Sequence, residues 1–483
     1  MEIHNEFLDV NYRYQYYLLE LVADNGNYYL TVPRAMKLLG ISKFKITQYV
    51  EGINADLAVI SPTSHLKVNA DGVFESQNID EGVVRKVRLD YLKQSNLFKM
   101  LEFSLLHPEK NETADFCDAL FIGTTKFYEL KKEMTAIVEQ FDLKFKKNRL
   151  VGSEIMIRQF IFEIYYSYFN GIEKPLQTVQ TVADQAMDRL SADLGISRLP
   201  TTDKKLEIYI KIQYIRMHGK DYLTDHVLTA GFKEAQANLW HSVTQMMAND
   251  YRLNVSGESE IEALLTFLFA EGFTQFEVNW LASDLQSKVT QLTQRFIEQV
   301  NVVLAADAGQ TPQFQTAIQQ LTQDLNQIHT KQLTFYTEPT TFIDENQLTY
   351  FAESNPLFHS IIQKVVDKSK RKLEWRKQAS IYYDYMFACI QNIPLEILKD
   401  RVHVCVDFSQ GKLYNQYMQK MVNYFNNLNI EVQSIIDENT DLYLSDFYSG
   451  ELTCAQLIWK NPPTVLNWQQ FGDLVVSIKK EKL

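Results

Sequence analysis

One pattern occurs twice in the first 160 residues of this 483-residue chain, 81 positions apart. In each copy a short helix ends at a turn and a longer helix follows, an order that limits the fold to something like a helix-turn-helix. In the first copy a helix over 12–22 stops near Asp24-Asn25-Gly26, and Thr31 precedes the next, with Pro33 in its first turn, where the missing N–H costs little. Its apolar positions Ala35, Leu38 and Leu39 run into Gly40. Ser42 then suits the cap of a third helix, whose Ile46, Val50, Ile53 and Leu57 fall on one face. In the second copy Tyr91, Phe98, Leu101 and Leu105 line a helix that His107-Pro108 ends. Residues 113–121 form the next helix, Gly123 turns the chain, and Phe127, Leu130, Met134, Ile137 and Phe141 follow a helical rhythm. The pairs Leu39/Leu120, Ile41/Ile122, Ile46/Phe127, Ile53/Met134 and Leu57/Val138 agree in kind, and Val50/Lys131 breaks the match. Each copy is followed by strand-like residues. After the second, 141–146 alternates at period two, Lys147-Asn148 turns, and 149–152 returns, a hairpin or wing behind the longer helix.

The rest of the chain reads differently. Glycine and proline together supply only 28 of 483 residues, so long helices are expected. From 154 to 395 the period is almost wholly helical, with Pro175, Pro200, Pro312, Pro339 and Pro356 between segments such as 204–218, 258–272, 287–306 and 356–391. The Gln/Thr-rich stretch 284–329 keeps Val289, Leu292, Phe296, Val300 and Val303 at helical spacing, so it is helix rather than linker, and two bundles fit the length. After Pro394 the pattern becomes strand (401–408), amphipathic helix (413–428), strand (430–433) and strand (441–446), a small parallel α/β domain. The expected fold class is therefore multidomain and mainly α: two winged helix-turn-helix units, two helical bundles and a C-terminal small α/β domain.

Charge narrows the function. The net charge is −12, which argues against coating nucleic acid or an anionic membrane wholesale, but not against one cationic face. Over 120–149, seven Lys/Arg stand against four Asp/Glu. Lysines are common on any solvated helix; it is this reversal of sign within an acidic chain that favours phosphate contact. The candidate duplex-contacting residues are Thr124, Thr125, Lys126, Tyr128, Lys131 and Lys132 on the longer helix, and Lys144, Lys146, Lys147 and Arg149 on the wing. In the first copy they are Lys43, Lys45, Gln48 and Tyr49. The four cysteines, Cys117, Cys389, Cys405 and Cys454, lie far apart without zinc-finger spacing, so neither a disulfide scaffold nor a structural metal is expected, and no cofactor. No P-loop, GxGxxG, HExxH or GxSxG occurs, so no enzymatic activity is expected. The N-terminal residues lack a signal-peptide pattern and no apolar run approaches a membrane span, so a cytoplasmic protein is expected.

The doubled winged unit, followed by Leu150-Val151-Gly152-Ser153-Glu154 and Ile157-Arg158-Gln159-Phe160, resembles the Mga/AtxA family of Gram-positive transcriptional regulators. The resemblance implies helix-turn-helix domains at 1–70 and 71–160, phosphotransferase-system (PTS) regulation domains at 161–285 and 286–395, and an enzyme IIB-like domain at 398–483. It implies double-stranded DNA, RNA polymerase, a second copy of the chain (a homodimer or higher homo-oligomer) and the PTS phosphocarrier protein as partners, with transcriptional activation as the outcome. In such a family the helical domains carry phosphorylatable histidines. Here His218, His226 and His241 fall in the first bundle and His329 and His359 in the second; His218 and His359 are the foremost candidates. The C-terminal domain departs from a working cysteine-type enzyme IIB, which needs its cysteine in the loop after the first strand. Cys405 lies inside the strand, and 406–411 supplies one glycine and no cysteine, so Cys405 and Cys454 are expected to be core thiols in a scaffold for oligomerisation. The competing class is a phosphotransferase-linked scaffold or antiterminator-like regulator; an antiterminator would open with a β-rich RNA-binding domain, whereas this chain opens with helices.

Overall fold

The computed structural model describes residues 3–25, 30–169, 171–252, 257–308, 311–334, 345–368, 375–425, 428–460 and 462–482. Pro339 and Gly26, expected between helices, lie outside the described residues. The chain forms two compact units, Met1–Leu265 and Thr266–Leu483. It is mainly helical, with one small parallel sheet near the C-terminus.

The first unit opens with α1 (Val10–Asn25), α2 (Val32–Leu39), α3 (Lys43–Ile60) and the hairpin β1 (His65–Val68) and β2 (Phe74–Gln77). Then come α4 (Glu81–Gln94), α5 (Asn96–Leu106), α6 (Thr113–Leu120), α7 (Thr124–Glu139) and the hairpin β3 (Lys144–Lys146) and β4 (Arg149–Val151). The 81-residue repeat holds in the backbone: α2 shifted by 81 is α6, and α3 and α7 start 81 apart. The caps explain the turns. Thr31 and Ser42 accept from the backbone N–H of Arg34 and Lys45, and Gly40 closes α2 at φ 67 with its N–H on the Met36 carbonyl. At the matching place in the second copy stands Phe121, at φ 54, with its N–H on the Cys117 carbonyl. A bulky side chain in this left-handed region is unusual and costs about 1–2 kcal/mol. The mismatch at Val50/Lys131 also resolves. The buried stripe of α3 runs through Ile46, Tyr49, Ile53 and Leu57, and that of α7 through Phe127, Leu130, Met134 and Val138, so position 50 and its counterpart lie beside both stripes.

Several expected boundaries move. The helix expected to carry Tyr91 through Leu105 is two, because the Ser95 hydroxyl accepts from the N–H of Leu97 and Phe98 and starts a new helix there. Phe141 belongs to neither α7 nor the strand: α7 ends at Glu139, and Asp142 at φ 57 bends the chain before β3. Lys147 and Asn148, at φ 47 and 58, make the two-residue turn whose twist suits a tight hairpin.

The remainder of this unit is helical: α8 (Glu154–Phe169), α9 (Gln180–Leu194), α10 (Pro200–His218), α11 (Phe232–Ala235), α12 (Ala237–Asn249) and α13 (Glu258–Ala270), the last crossing the division between the units. α8 is apolar on nearly every side, burying Ile157, Phe160, Ile161, Ile164, Tyr165 and Tyr168, as a central helix must. It packs against α4, β4 and α10, linking the hairpin to the helices that follow.

The second unit holds α14 (Ser283–Ala308), α15 (Pro312–Thr334), α16 (Glu345–Ser354), α17 (Pro356–Lys368) and α18 (Trp375–Asn392). Their core gathers Phe296, Leu321, Leu325, Phe358, Ile361 and Met386. Within the stretch 356–391 expected to be helical, α17 and α18 are described, and residues 369–374 lie outside the described residues. Next come β5 (Val402–Asp407), α19 (Lys412–Asn423), β6 (Ile430–Gln433), β7 (Leu442–Ser445), β8 (Ala455–Ile458) and α20 (Val465–Glu481). The four strands pair in parallel in the order β6-β5-β7-β8, over a core that includes Val404, Val406, Met418, Leu444, Trp459 and Phe471. β8 carries no strong strand pattern in the sequence; it is short and only half-buried.

Candidate nucleic-acid interface

α7 divides into two faces. Phe127, Leu130, Met134, Ile137 and Val138 are buried, and Thr124, Thr125, Lys126, Tyr128 and Lys132 are exposed, Tyr128 at 60%. The adjacent hairpin buries Phe145 and exposes Lys144, Lys146 and Lys147. The expected residues thus share α7 and the hairpin packed against it, but they do not all stand free. Lys126 pairs with Glu129 at 3.2 Å, both exposed. The Lys131 ammonium donates to Asn148 Oδ1 at 2.8 Å and sits 5.9 Å from the centre of the Phe127 ring. Asn148, buried at the hairpin turn, donates in its turn to the Asn111 carbonyl at 2.7 Å. Lys131 therefore locks the hairpin to α7. Arg149 is ion-paired with Asp221 at 3.0 Å.

The first copy is corrected at one residue. Tyr49, expected to face the duplex, is 3% exposed; its hydroxyl donates to Asn11 Oδ1 at 3.3 Å and its ring stacks on Tyr14. It is core, because position 49 lies on the buried stripe. Lys43 and Gln48 are exposed, and Lys45 is half-buried, 5.5 Å from the centre of the Tyr49 ring. Arg34, Lys37 and Lys67, not singled out above, join them: residues 31–68 hold five Lys/Arg against two Asp/Glu, the same excess as in the second copy. Phe44 and Phe121 are also exposed, at 76% and 95%, at the start of α3 and the end of α6. Neither has a sequence signal beyond being apolar where the helical period expects polar.

The histidines separate by setting. His226 is exposed, and its Nδ1 lies 2.8 Å from Oε1 of Glu262, a buried carboxylate whose other oxygen accepts from the backbone N–H of Val227 and Leu228. The carboxylate raises the His226 pKa above its ordinary value. His218 is exposed at the last residue of α10, its Nε2 3.3 Å from the Tyr251 carbonyl oxygen. His241 is exposed on α12. His359 is half-buried in the first turn of α17, its Nδ1 2.9 Å from the Tyr382 hydroxyl, and burial lowers its pKa. His329 is wholly buried between the Thr293 hydroxyl at 2.8 Å and the Tyr385 hydroxyl at 2.9 Å, and burial drives its pKa down to about 3. No group of three or more His, Cys, Asp or Glu suited to a metal ion occurs among the described residues. None of the described helices is long and apolar enough to cross a membrane.

Residues 83–165, from within α4 to within α8 and enclosing α6, α7 and the β3–β4 hairpin, match the family model of the Mga helix-turn-helix domain. This chain carries an Mga helix-turn-helix domain. No curated protein shows significant similarity to the chain. The Mga domain therefore contains the exposed lysines of α7 and the hairpin, together with Glu154 and Arg158 of α8. In the C-terminal sheet, Cys405 is buried in β5 with its thiol pKa pushed up to about 11, and Cys454 is half-buried with its pKa raised, both by burial first. The loop after β5 presents Ser409, whose hydroxyl and N–H both bind the Asp446 carboxylate.

Proposed function

We propose that this chain is a transcription regulator that grips duplex DNA with α7 and the β3–β4 wing, assisted by α3 of the first copy. One observation carries the reading: Thr124, Thr125, Lys126, Tyr128 and Lys132 stand exposed on α7, next to the exposed Lys144, Lys146 and Lys147 of the wing, inside the Mga domain. A helix entering the major groove with a basic hairpin beside it makes phosphate contacts that set position and leaves the helix face to read base edges. Only Gln48, Lys126 and the neighbouring hydroxyls are suited to base edges. Affinity of one such unit is modest and falls steeply with salt, so self-association that doubles the footprint belongs to the reading. We take the outcome to be activation through RNA polymerase, with homodimers or larger assemblies tuned through PTS-regulation-like bundles.

For that tuning, phosphorylation by the PTS phosphocarrier suits some histidines better than others. His226 has a carboxylate behind its Nδ1 and stands open to solvent, and His359 sits in a helix first turn, where a phosphate's charge is favoured. His218 ends a helix, where the same charge is disfavoured, and His329 is enclosed. Titration of duplex DNA onto the full chain at several salt concentrations tests the reading. Binding whose logarithmic salt slope shrinks by about 0.9 for each of Lys126, Lys132, Lys146 and Lys147 changed to Ala supports it. Undetectable binding at low salt, or a slope untouched by all four changes, transfers the chain to the scaffold class.

A further inference from the structure

The wing's single arginine is already occupied. Arg149 stands on β4 opposite Lys146, at the base of the Lys147-Asn148 turn. Its Nη2 lies 3.0 Å from Asp221 Oδ2, an oxygen that also sits 3.2 Å from Nη1 of Arg216. Asp221 is placed there by the end of α10. Its N–H bonds the Arg216 carbonyl and the N–H of Lys220, at φ 64, bonds the Met217 carbonyl, the two reversed bonds of a Schellman closure. From Asp221 a chain of ion pairs leads inward. Arg216 clasps Glu154 with two bonds of 2.9 and 2.7 Å, Glu154 takes Arg158 Nε at 2.9 Å, and Arg158 clasps the buried Glu260 with two bonds of 2.7 Å. Glu260 also accepts from the Leu223 N–H at 2.8 Å, and Arg158 donates to the Asp221 carbonyl at 3.0 Å. The segment after α10 is thereby pinned to the helical core at both ends of its first turn, and through Asp221 it also reaches the wing.

We propose that Asp221 is a built-in competitor for DNA: it holds Arg149 as a phosphate would, and the segment 221–228 sets how strongly the wing binds. The inference rests on the duplex reading above. A guanidinium takes a carboxylate or a phosphate with the same fork, and this pair is accessible for exchange, the two side chains being 33% and 27% exposed. The deeper members of the ion chain do not depend on the exchange. Arg216 keeps both bonds to Glu154, and the Asp221 backbone keeps Arg158, whichever anion Arg149 holds. The same segment runs on to His226, tethered to Glu262, so a change of charge there lies on the strap that carries Asp221.

The test is a salt titration of the full chain with a 30-base-pair mixed-sequence duplex, comparing wild type, Asp221→Asn, Arg149→Ala and the double variant. Asp221→Asn is expected to bind several-fold tighter at low salt, with a logarithmic salt slope steeper by about 0.9, the mark of one added phosphate contact. Arg149→Ala alone changes little, and in the double variant the gain disappears. A gain that survives Arg149→Ala reports only the loss of a nearby negative charge and overturns the proposal, as does no gain at all. Asp221→Ser repeats the comparison if the amide disturbs the turn. Should wild type and every variant fail to bind at low salt, the duplex reading itself falls, a result separable from a wild type that binds and an Asp221→Asn that matches it.

Discussion

Acidification should open α15 in a way that belongs to a single side chain. His329 is fully buried, satisfied on Nδ1 by Thr293 and on Nε2 by Tyr385, and its pKa falls from the ordinary 6.5 to about 3. The folded chain therefore keeps the ring neutral while the opened chain protonates it, so stability is complete above pH 6.5 and is lost as pH falls from 6.5 towards 3. At pH 5.0 the opened state gains about 1.5 pH units of protonation free energy over the folded one, or about 2 kcal/mol. Hydrogen exchange of the α15 amides, corrected for the intrinsic pH dependence, reads this directly as protection lowered about 30-fold between pH 7.5 and 5.0. His329→Gln carries no titrating ring, and its protection should fall by roughly 30-fold less over the same interval. Equal loss in both chains would refute the reasoning. It would mean that the ring is not held neutral in the core, and His329 would return to the histidines open to phosphorylation.

Phe121→Gly should raise the midpoint of thermal unfolding of the first unit, since glycine takes φ 54 without the roughly 1 kcal/mol penalty of a side chain there; an unchanged or lower midpoint says that Phe121 makes a compensating contact. Asn148→Ala removes the acceptor of Lys131 and the donor to Asn111 and leaves at φ 58 a residue that tolerates the left-handed region less readily than asparagine, for a local cost of about 2–4 kcal/mol, seen as faster exchange of the β3–β4 amides. Asn148→Gly, which keeps the backbone at ease, should lose less. Cys405, buried and with its pKa at about 11, should react with iodoacetamide at pH 8 far more slowly than the half-buried Cys117, and equal rates would show that β5 opens readily.

What the sequence made legible here is local. Thr31, Ser42 and Gly40 cap as their types suggest, and the 81-residue repeat survives into the backbone because both copies bury the same four positions. The burial of Tyr49 does have a signal in the sequence: it is three residues after Ile46 and four before Ile53, on the buried stripe, and its hydroxyl finds Asn11 from another helix. Phe121 in a glycine's conformation has no local signature, and neither has the ion chain from Arg149 to Glu260, whose members come from β4, α8, α10, the segment after α10 and α13 and meet only in the fold. The His226–Glu262 pair is of the same kind, its partners 36 positions apart.

The central claim is tested most directly by mapping where a bound duplex slows hydrogen exchange in the full chain. The account predicts slowing in the first half of α7 and in the β3–β4 hairpin, with a weaker effect at the start of α3. Slowing confined to other helices, with residues 124–132 and 144–149 exchanging as in the free chain, would contradict it.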